Sequence, residues 1–217
     1  MPKTCSFDCV YCQLGKTIGR TLERKEYIPI QEIITELKNW LSANKKELDK
    51  LNYITLSGSG EPTLNTKIKE LILQIKKLTT TPVAVITNAS LLADPEIRKQ
   101  IIEADLIVPS LDAVLEEAFK KVDRPLGNIK LSEIIEGLVA LRKEFKGKIW
   151  IEVMLVKGLN DSQEHIDKLK QAIDKINPDK IQLNSPVRAT AENNIFPVDK
   201  DRLEEIKKLF GSKCEII

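Results

Sequence analysis

The chain has 217 residues, enough for one domain with a substantial core, and its 42% hydrophobic and 30% charged residues are those of a soluble globular protein. Lys and Arg (34) nearly balance Asp and Glu (32), which excludes an overall field drawing the chain to nucleic acid or anionic membrane. No apolar run reaches membrane-spanning length and the N-terminus lacks the apolar core of a signal peptide, so a cytoplasmic chain with reduced thiols is expected.

The first periodic segment in chain order sets Ile33, Ile34, Leu37, Trp40 and Leu41 at helical spacing. A β-branched run, NYITLS (52–57), follows, and then a second helical stripe of Ile68, Leu71, Ile72, Ile75 and Leu78. PVAVIT (82–87) reads as the next strand, and Asp94 before Pro95 reads as an N-cap with proline at the first helical position. After the strand ADLIVPS (104–110) come a short helix near 114–121 and a longer one carrying Ile134, Ile135, Leu138 and Leu141, with Ser132 as its candidate cap. KIWIEVMLV (148–156) is the fourth strand; Asp161 can cap the helix striped by Ile166, Leu169, Ile173 and Ile176. DKIQLN (179–184), a helix with Leu203, Ile206, Leu209 and Phe210, and a final short strand near Cys214 end the pattern. No linker or low-complexity tract divides it, so 1–217 is expected to be a single domain.

Strand and helix alternating at this spacing predict parallel β/α units with right-handed crossovers, in a sheet covered on both faces or curled into a barrel. Chemistry in such folds collects at the C-terminal ends of the strands. Those ends carry SGSGEPT (57–63), Thr87 and Asn88, Ser110 and Asp112, Lys157, and Asn184. Arg124 and Arg188, with Lys157, are rim candidates for an anionic substrate, and Glu152 falls inside a strand. His165 reads as an exposed helical residue and Cys214 as a small apolar side chain.

Three of the four cysteines crowd into CSFDCVYCQLGKT (5–17), with no histidine near them. Closed zinc sites want four ligands, and a disulfide is disfavoured in a reducing compartment. Thiolates hold iron–sulfur clusters, normally four to a 4Fe–4S cube, so three ligands leave one iron open to a small molecule.

Cys5-x-x-x-Cys9-x-Tyr11-Cys12 resembles the cluster motif of the radical S-adenosylmethionine (radical SAM) superfamily, and Ser57-Gly58-Ser59-Gly60-Glu61-Pro62 resembles its Gly-Gly-Glu motif with Ser59 in place of the first glycine. More narrowly, CSFDCVYCQLGKT followed by LSGSGEPTLN is similar to the iron–sulfur enzymes grouped with the wyosine-base synthases that modify tRNA. The resemblance implies an α/β fold, a partial (β/α)6-type parallel barrel. Its first strand would be short or missing, because Met1 to Thr4 is too short to supply it. Residues 1–17 would form the cluster loop, with Cys5, Cys9 and Cys12 each binding one iron of a 4Fe–4S cluster. S-adenosylmethionine would chelate the fourth iron and be cleaved reductively to a 5′-deoxyadenosyl radical that abstracts hydrogen from substrate. By the same resemblance the Gly60 backbone and Glu61, beside Ser59, receive the methionine ammonium. Thr87 or Asn88, with Ser110 and Asp112, would bond the ribose or carboxylate, and Tyr11 would lie against adenine. An external electron donor of flavodoxin or ferredoxin type is implied, with RNA or a protein as substrate. A glycyl-radical-enzyme activase and a non-catalytic iron–sulfur module are the alternative readings.

Overall fold

The computed structural model describes residues 3–217. Six strands form one all-parallel sheet in sequential order: β1 (Ile54–Leu56), β2 (Val83–Thr87), β3 (Leu106–Pro109), β4 (Lys148–Met154), β5 (Lys180–Asn184) and β6 (Cys214–Ile216). Seven α-helices lie among the described residues: α1 (Ile30–Ala43), α2 (Ile68–Leu78), α3 (Pro95–Ile101), α4 (Glu116–Val122), α5 (Leu131–Glu144), α6 (Gln163–Ile176) and α7 (Lys200–Phe210). Among the described residues no strand precedes α1; the chain instead makes isolated parallel bridges, Thr4 with Gly60 and Cys5 with Arg20. The six parallel strands agree with the expected partial barrel. No described helix is long and apolar enough to cross a membrane.

Strand alternation divides the sheet into two faces. In β4, Ile149, Ile151 and Val153 are buried in the main core with Leu138, Leu141, Ile166 and Leu169 of the helices. Trp150, Glu152 and Met154 point the other way, and Trp150 packs on a separate small cluster of Ala84, Leu106 and Val108. The strand-start end of this second face is plugged: Tyr53 meets Trp150 edge to face at 5.9 Å between centroids, and Lys180 Nζ lies 4.4 Å from the Trp150 ring. Toward the strand ends the face turns polar, with Ser110, Glu152, Gln182 and Asn184 all half-buried. The β3–β4 ladder pairs Leu106 with Lys148 and Ile107 with Ile149, lapses around Pro109, which has no N–H to give, and resumes as the bridge Ser110–Glu152.

Helix starts follow local chemistry, with corrections. Asp94 caps α3 as expected, taking the Glu96 N–H at 2.8 Å. Ser132 does not cap α5, whose first residue is Leu131. Nor does Asp161 cap α6: Ser162 does, accepting the His165 N–H, while Asp161 takes the Gly158 N–H at 2.8 Å. In the outer stripes Trp40 (42% exposed) and Leu209 (38%) lie at the surface, where only one side of α1 and α7 reaches the core. His165 is 1% exposed, contrary to expectation: it shares the inward stripe of Leu169, Ala172 and Ile176.

Candidate functional site

Two apolar residues pin the cysteine loop. Phe7 (4% exposed) meets Phe119 of α4 edge to face at 5.5 Å, and Val10 is 2% exposed. The loop backbone rides on the end of α4, with Val10 N donating to Val122 O at 2.9 Å and Asp8 N to Asp123 O at 3.1 Å. Its base closes where Thr17 N donates to Asp8 Oδ1 at 2.6 Å and Thr17 Oγ1 to Phe7 O at 2.8 Å. Phe7 and Val10 are spent on the core, Cys5 is buried beside Phe7 at 8% exposure, Cys9 and Cys12 are half-buried, and all three are free thiols.

A clasp joins this loop to the β1 end. Thr4 N donates to Ser59 O at 3.0 Å and Glu61 N to Thr4 O at 2.9 Å. Gly60, at φ 145°, permits the approach, since a Cβ there would fall on the Thr4 carbonyl. Glu61 is 5% exposed and its carboxylate takes four donors: Thr63 N (3.0 Å), Thr63 Oγ1 (2.5 Å) and Thr87 Oγ1 (2.6 Å) on Oε1, and Asn88 N (2.7 Å) on Oε2. Burial raises its pKa against the pull of those four donors. Glu61 therefore ties β1 to β2. Asn88 carries the tie onward, its Nδ2 donating to Ser6 Oγ at 3.0 Å and lying 3.4 Å from Cys5 Sγ. Ser110 joins through its N–H to Thr87 O at 2.9 Å. Cys5, Ser59, Gly60, Glu61, Thr87, Asn88 and Ser110 thus form one connected rim.

Asp112 extends it. Its Oδ1 accepts Met154 N at 2.8 Å, its Oδ2 accepts the Tyr11 hydroxyl, and its partner carboxyl is Asp123, to which Cys9 Sγ donates at 3.7 Å. Asp112 and Asp123 are both nearly fully buried and hydrogen-bond each other, which requires one to be protonated. Burial, with the neighbouring Asp112 charge added, pushes Asp123 well above the carboxylate range. Burial and then Asp112 raise the Tyr11 phenol too. For the thiols, burial first and Glu61 second push Cys5 up to about 11; burial and then Asp123 push Cys9 up as well. A cavity of about 20 Å³, room for one water, lies among Phe7, Tyr11, Asn88, Ser110, Asp112 and Asp123.

Asp123 was not legible in the sequence, where it follows Lys120, Lys121 and Val122 as an ordinary carboxylate at a helix end. Asn160 escaped notice as well. It is 1% exposed, accepts Val156 N at 2.7 Å, and donates to Asp112 O at 2.7 Å and Met154 O at 2.9 Å, stitching the β3 and β4 exits. His165 supports the same junction by accepting Val114 N at Nε2, 3.1 Å away. The three rim cations are occupied at the surface: Arg124 by Glu192 (2.7 Å), Lys157 by Asp199 (2.7 Å) and Arg188 by Gln13 (3.1 Å). Glu192 also takes Lys16 at 3.3 Å, so the loop after β5 latches onto the cysteine loop across the mouth of the open barrel. Cys214 is a buried core residue.

The donor set suits an iron–sulfur cluster: three free thiols on one short loop. Among the described residues no three His, Cys, Asp or Glu side chains converge on a single-ion site.

The radical SAM superfamily model matches residues 1–169. The chain belongs to the radical SAM superfamily. Membership brings a 4Fe–4S cluster and S-adenosylmethionine as cofactors and makes the chain an enzyme of that class. It is 42% identical over 99% of its length to a GTPase Obg of Brachyspira hyodysenteriae, covering 31% of that protein, and 33% identical over 99% to a UPF0026 protein of Methanocaldococcus jannaschii, covering 65% of it. The radical SAM chain thus spans a third to two thirds of these relatives. Among solved structures it resembles TYW1 with a lysine–pyruvate adduct bound (TM-score 0.67, 20% identity, 97% of this chain and 71% of that one). It also resembles Streptococcus suis SuiB bound to S-adenosylmethionine (TM-score 0.70, 17% identity, 100% and 48%). These likenesses fix the radical SAM partial barrel as the fold.

Proposed function

We propose that Cys5, Cys9 and Cys12 hold the 4Fe–4S cluster and that this chain starts radical chemistry on a substrate taken up on the concave, second face of the sheet. The observation carrying the reading is the rim: the clasp at Thr4 and Gly60, continued through Glu61 and Asn88, sets the cysteine loop directly over the ends of β1 to β3. When bound, the reduced cluster supplies an electron to the sulfonium of S-adenosylmethionine, yielding methionine and a 5′-deoxyadenosyl radical that takes hydrogen from substrate.

The chain's own residues bind and orient. Main chain at Gly60 and the Asn88 amide would meet the methionine end, and Ser110 and Asp112 the ribose. Tyr11, its hydroxyl committed to Asp112, is left to offer its ring to adenine. Glu61 positions the rim through Oε1, bonded by Thr63 and Thr87, while its Oε2, bonded only by Asn88 N, keeps a lone pair for the methionine ammonium. The electron comes from an external flavodoxin- or ferredoxin-type protein in the cytoplasm, and RNA and protein are the substrate classes the family resemblance suggests.

Anaerobic reconstitution tests this. The parent should load about four irons and four sulfides, Cys9→Ala should not, and dithionite with S-adenosylmethionine should then release 5′-deoxyadenosine. A loaded cluster that never yields deoxyadenosine would favour the non-catalytic module.

A further inference from the structure

Glu152 is a carboxylate on the concave face that no described cation meets. It stands on β4 beside Trp150 and Met154, on the side opposite the helices. Its only side-chain hydrogen bond among the described residues is a long one, from Ser110 Oγ at 3.4 Å. The other carboxylates of the site and of this face are provided for. Glu61 has four donors, Asp112 has Tyr11 and Met154 N, and Glu215 has Lys180 at 3.1 Å and the Gln182 amide at 3.3 Å. The rim cations Arg124, Lys157 and Arg188 are held by Glu192, Asp199 and Gln13.

The groups flanking Glu152 are also acceptors. Gln182 is its register partner across β4–β5, on the same face. Gln182 donates its NH2 to Glu215, which leaves its carbonyl oxygen as the free end. On the other flank Ser110 gives its proton to Glu152 and keeps its lone pairs. Carboxylate, carboxamide oxygen and hydroxyl oxygen therefore lie on neighbouring strands of one half-buried stretch of this face. An alkylammonium group brings one positive charge and three N–H donors, and satisfies all three. A phosphate brings only acceptors and more negative charge.

We infer that Glu152, with Gln182 and Ser110, sets substrate specificity, and that the substrate presents a primary amine to this patch. The inference rests on the concave face being the substrate side, as proposed above. The arriving ammonium supplies the cationic partner that this carboxylate lacks among the described residues.

The test uses the whole chain free of cluster and S-adenosylmethionine, so its outcome does not depend on the reaction. Isotope-labelled protein is titrated with cadaverine against 1-pentanol, with a lysine pentapeptide against its norleucine counterpart, and with AMP, and backbone amide shifts are followed. An amine should bind at least about tenfold tighter than its isostere and move the Ser110, Glu152 and Gln182 amides. Free-diamine preference indicates a small-molecule substrate; lysine-peptide preference indicates a protein side chain. Glu152→Gln should erase the discrimination and Glu152→Asp should retain part of it. Gln182→Leu should weaken it without touching the charge, guarding against a variant that misfolds. Equal binding of amine and isostere, preference for AMP, no binding at all, or discrimination surviving in folded Glu152→Gln overturns the inference. Deoxyadenosine release by the loaded parent is scored separately, so loss of the reaction and loss of amine recognition are told apart.

Discussion

Replacing Asn160 with alanine should destabilise the β3–β4 junction more than any surface change. The side chain, 1% exposed, serves three main-chain groups: it accepts Val156 N at 2.7 Å and donates to Asp112 O at 2.7 Å and Met154 O at 2.9 Å. Truncation strands all three in a place water reaches poorly, at about 1–3 kcal/mol for each buried group left unmade. Because the three share one side chain and relax together, the sum falls short of additivity, and a loss of about 3–5 kcal/mol is expected. For a chain of 217 residues that lowers Tm by roughly 6–20 °C, at about 2–4 °C per kcal/mol. Urea unfolding of the reduced, cluster-free chain, followed by circular dichroism, measures it. Asn160→Asp keeps the Val156 bond but turns a carboxylate oxygen toward two carbonyls, so it should be no more stable than the alanine variant. A loss below about 1 kcal/mol in Asn160→Ala would refute the reasoning, since the stranded groups would then have found other partners.

Gly60→Ala should cost about 1–3 kcal/mol and unseat the clasp, because the new methyl group falls on the Thr4 carbonyl. Iron and sulfide content after reconstitution should drop while the far-ultraviolet spectrum stays parental; parental iron loading would show that the clasp does not place the loop. His165 should make stability fall in mild acid. Its burial outweighs the nearby Asp161 charge and holds its pKa below the usual histidine value, so the unfolded chain takes up a proton the folded one refuses. That contribution is complete above the unfolded pKa of about 6.5 and is lost as pH falls below it. His165→Gln should flatten the slope of unfolding free energy between about pH 6.5 and 5, read from denaturant midpoints, and an unchanged slope would remove His165 as its cause.

The strands could be read from the sequence because parallel strands covered on one face and packed on the other leave near-continuous β-branched runs such as VAVIT and LIVP. Helix ends were less secure wherever two capping residues adjoin: Asp161 and Ser162 both qualify, and only the turn that gives Asp161 the Gly158 N–H decides between them. His165 carried a usable signal, since it precedes Leu169, Ala172 and Ile176 at helical intervals, but polar Gln163, Glu164 and Asp167 around it masked the stripe. The cysteines and the GSGEP loop stood out because their chemistry is local. Asp123 and Asn160 did not, because what makes them matter is contact with residues far along the chain: Asp112 and Cys9 for the first, Asp112 again for the second. Glu61 stood out as well, but nothing in SGSGEPT announces that Thr63 and Thr87 will bond its Oε1.

Glu192 is a hinge pin between the two ends of an unclosed ring. Its bonds to Lys16 and Arg124, with the Arg188–Gln13 contact beside them, are solvent-facing and each is worth under about 1 kcal/mol. Releasing them together costs roughly 1–3 kcal/mol, which would leave this latch undone in about 0.6–16% of molecules with every strand still paired. Such breathing needs only loop motion, on the nanosecond-to-microsecond scale, and no unfolding. Because these charges are exposed, added salt shifts the balance further toward the open form, widening passage to the strand ends without touching the core.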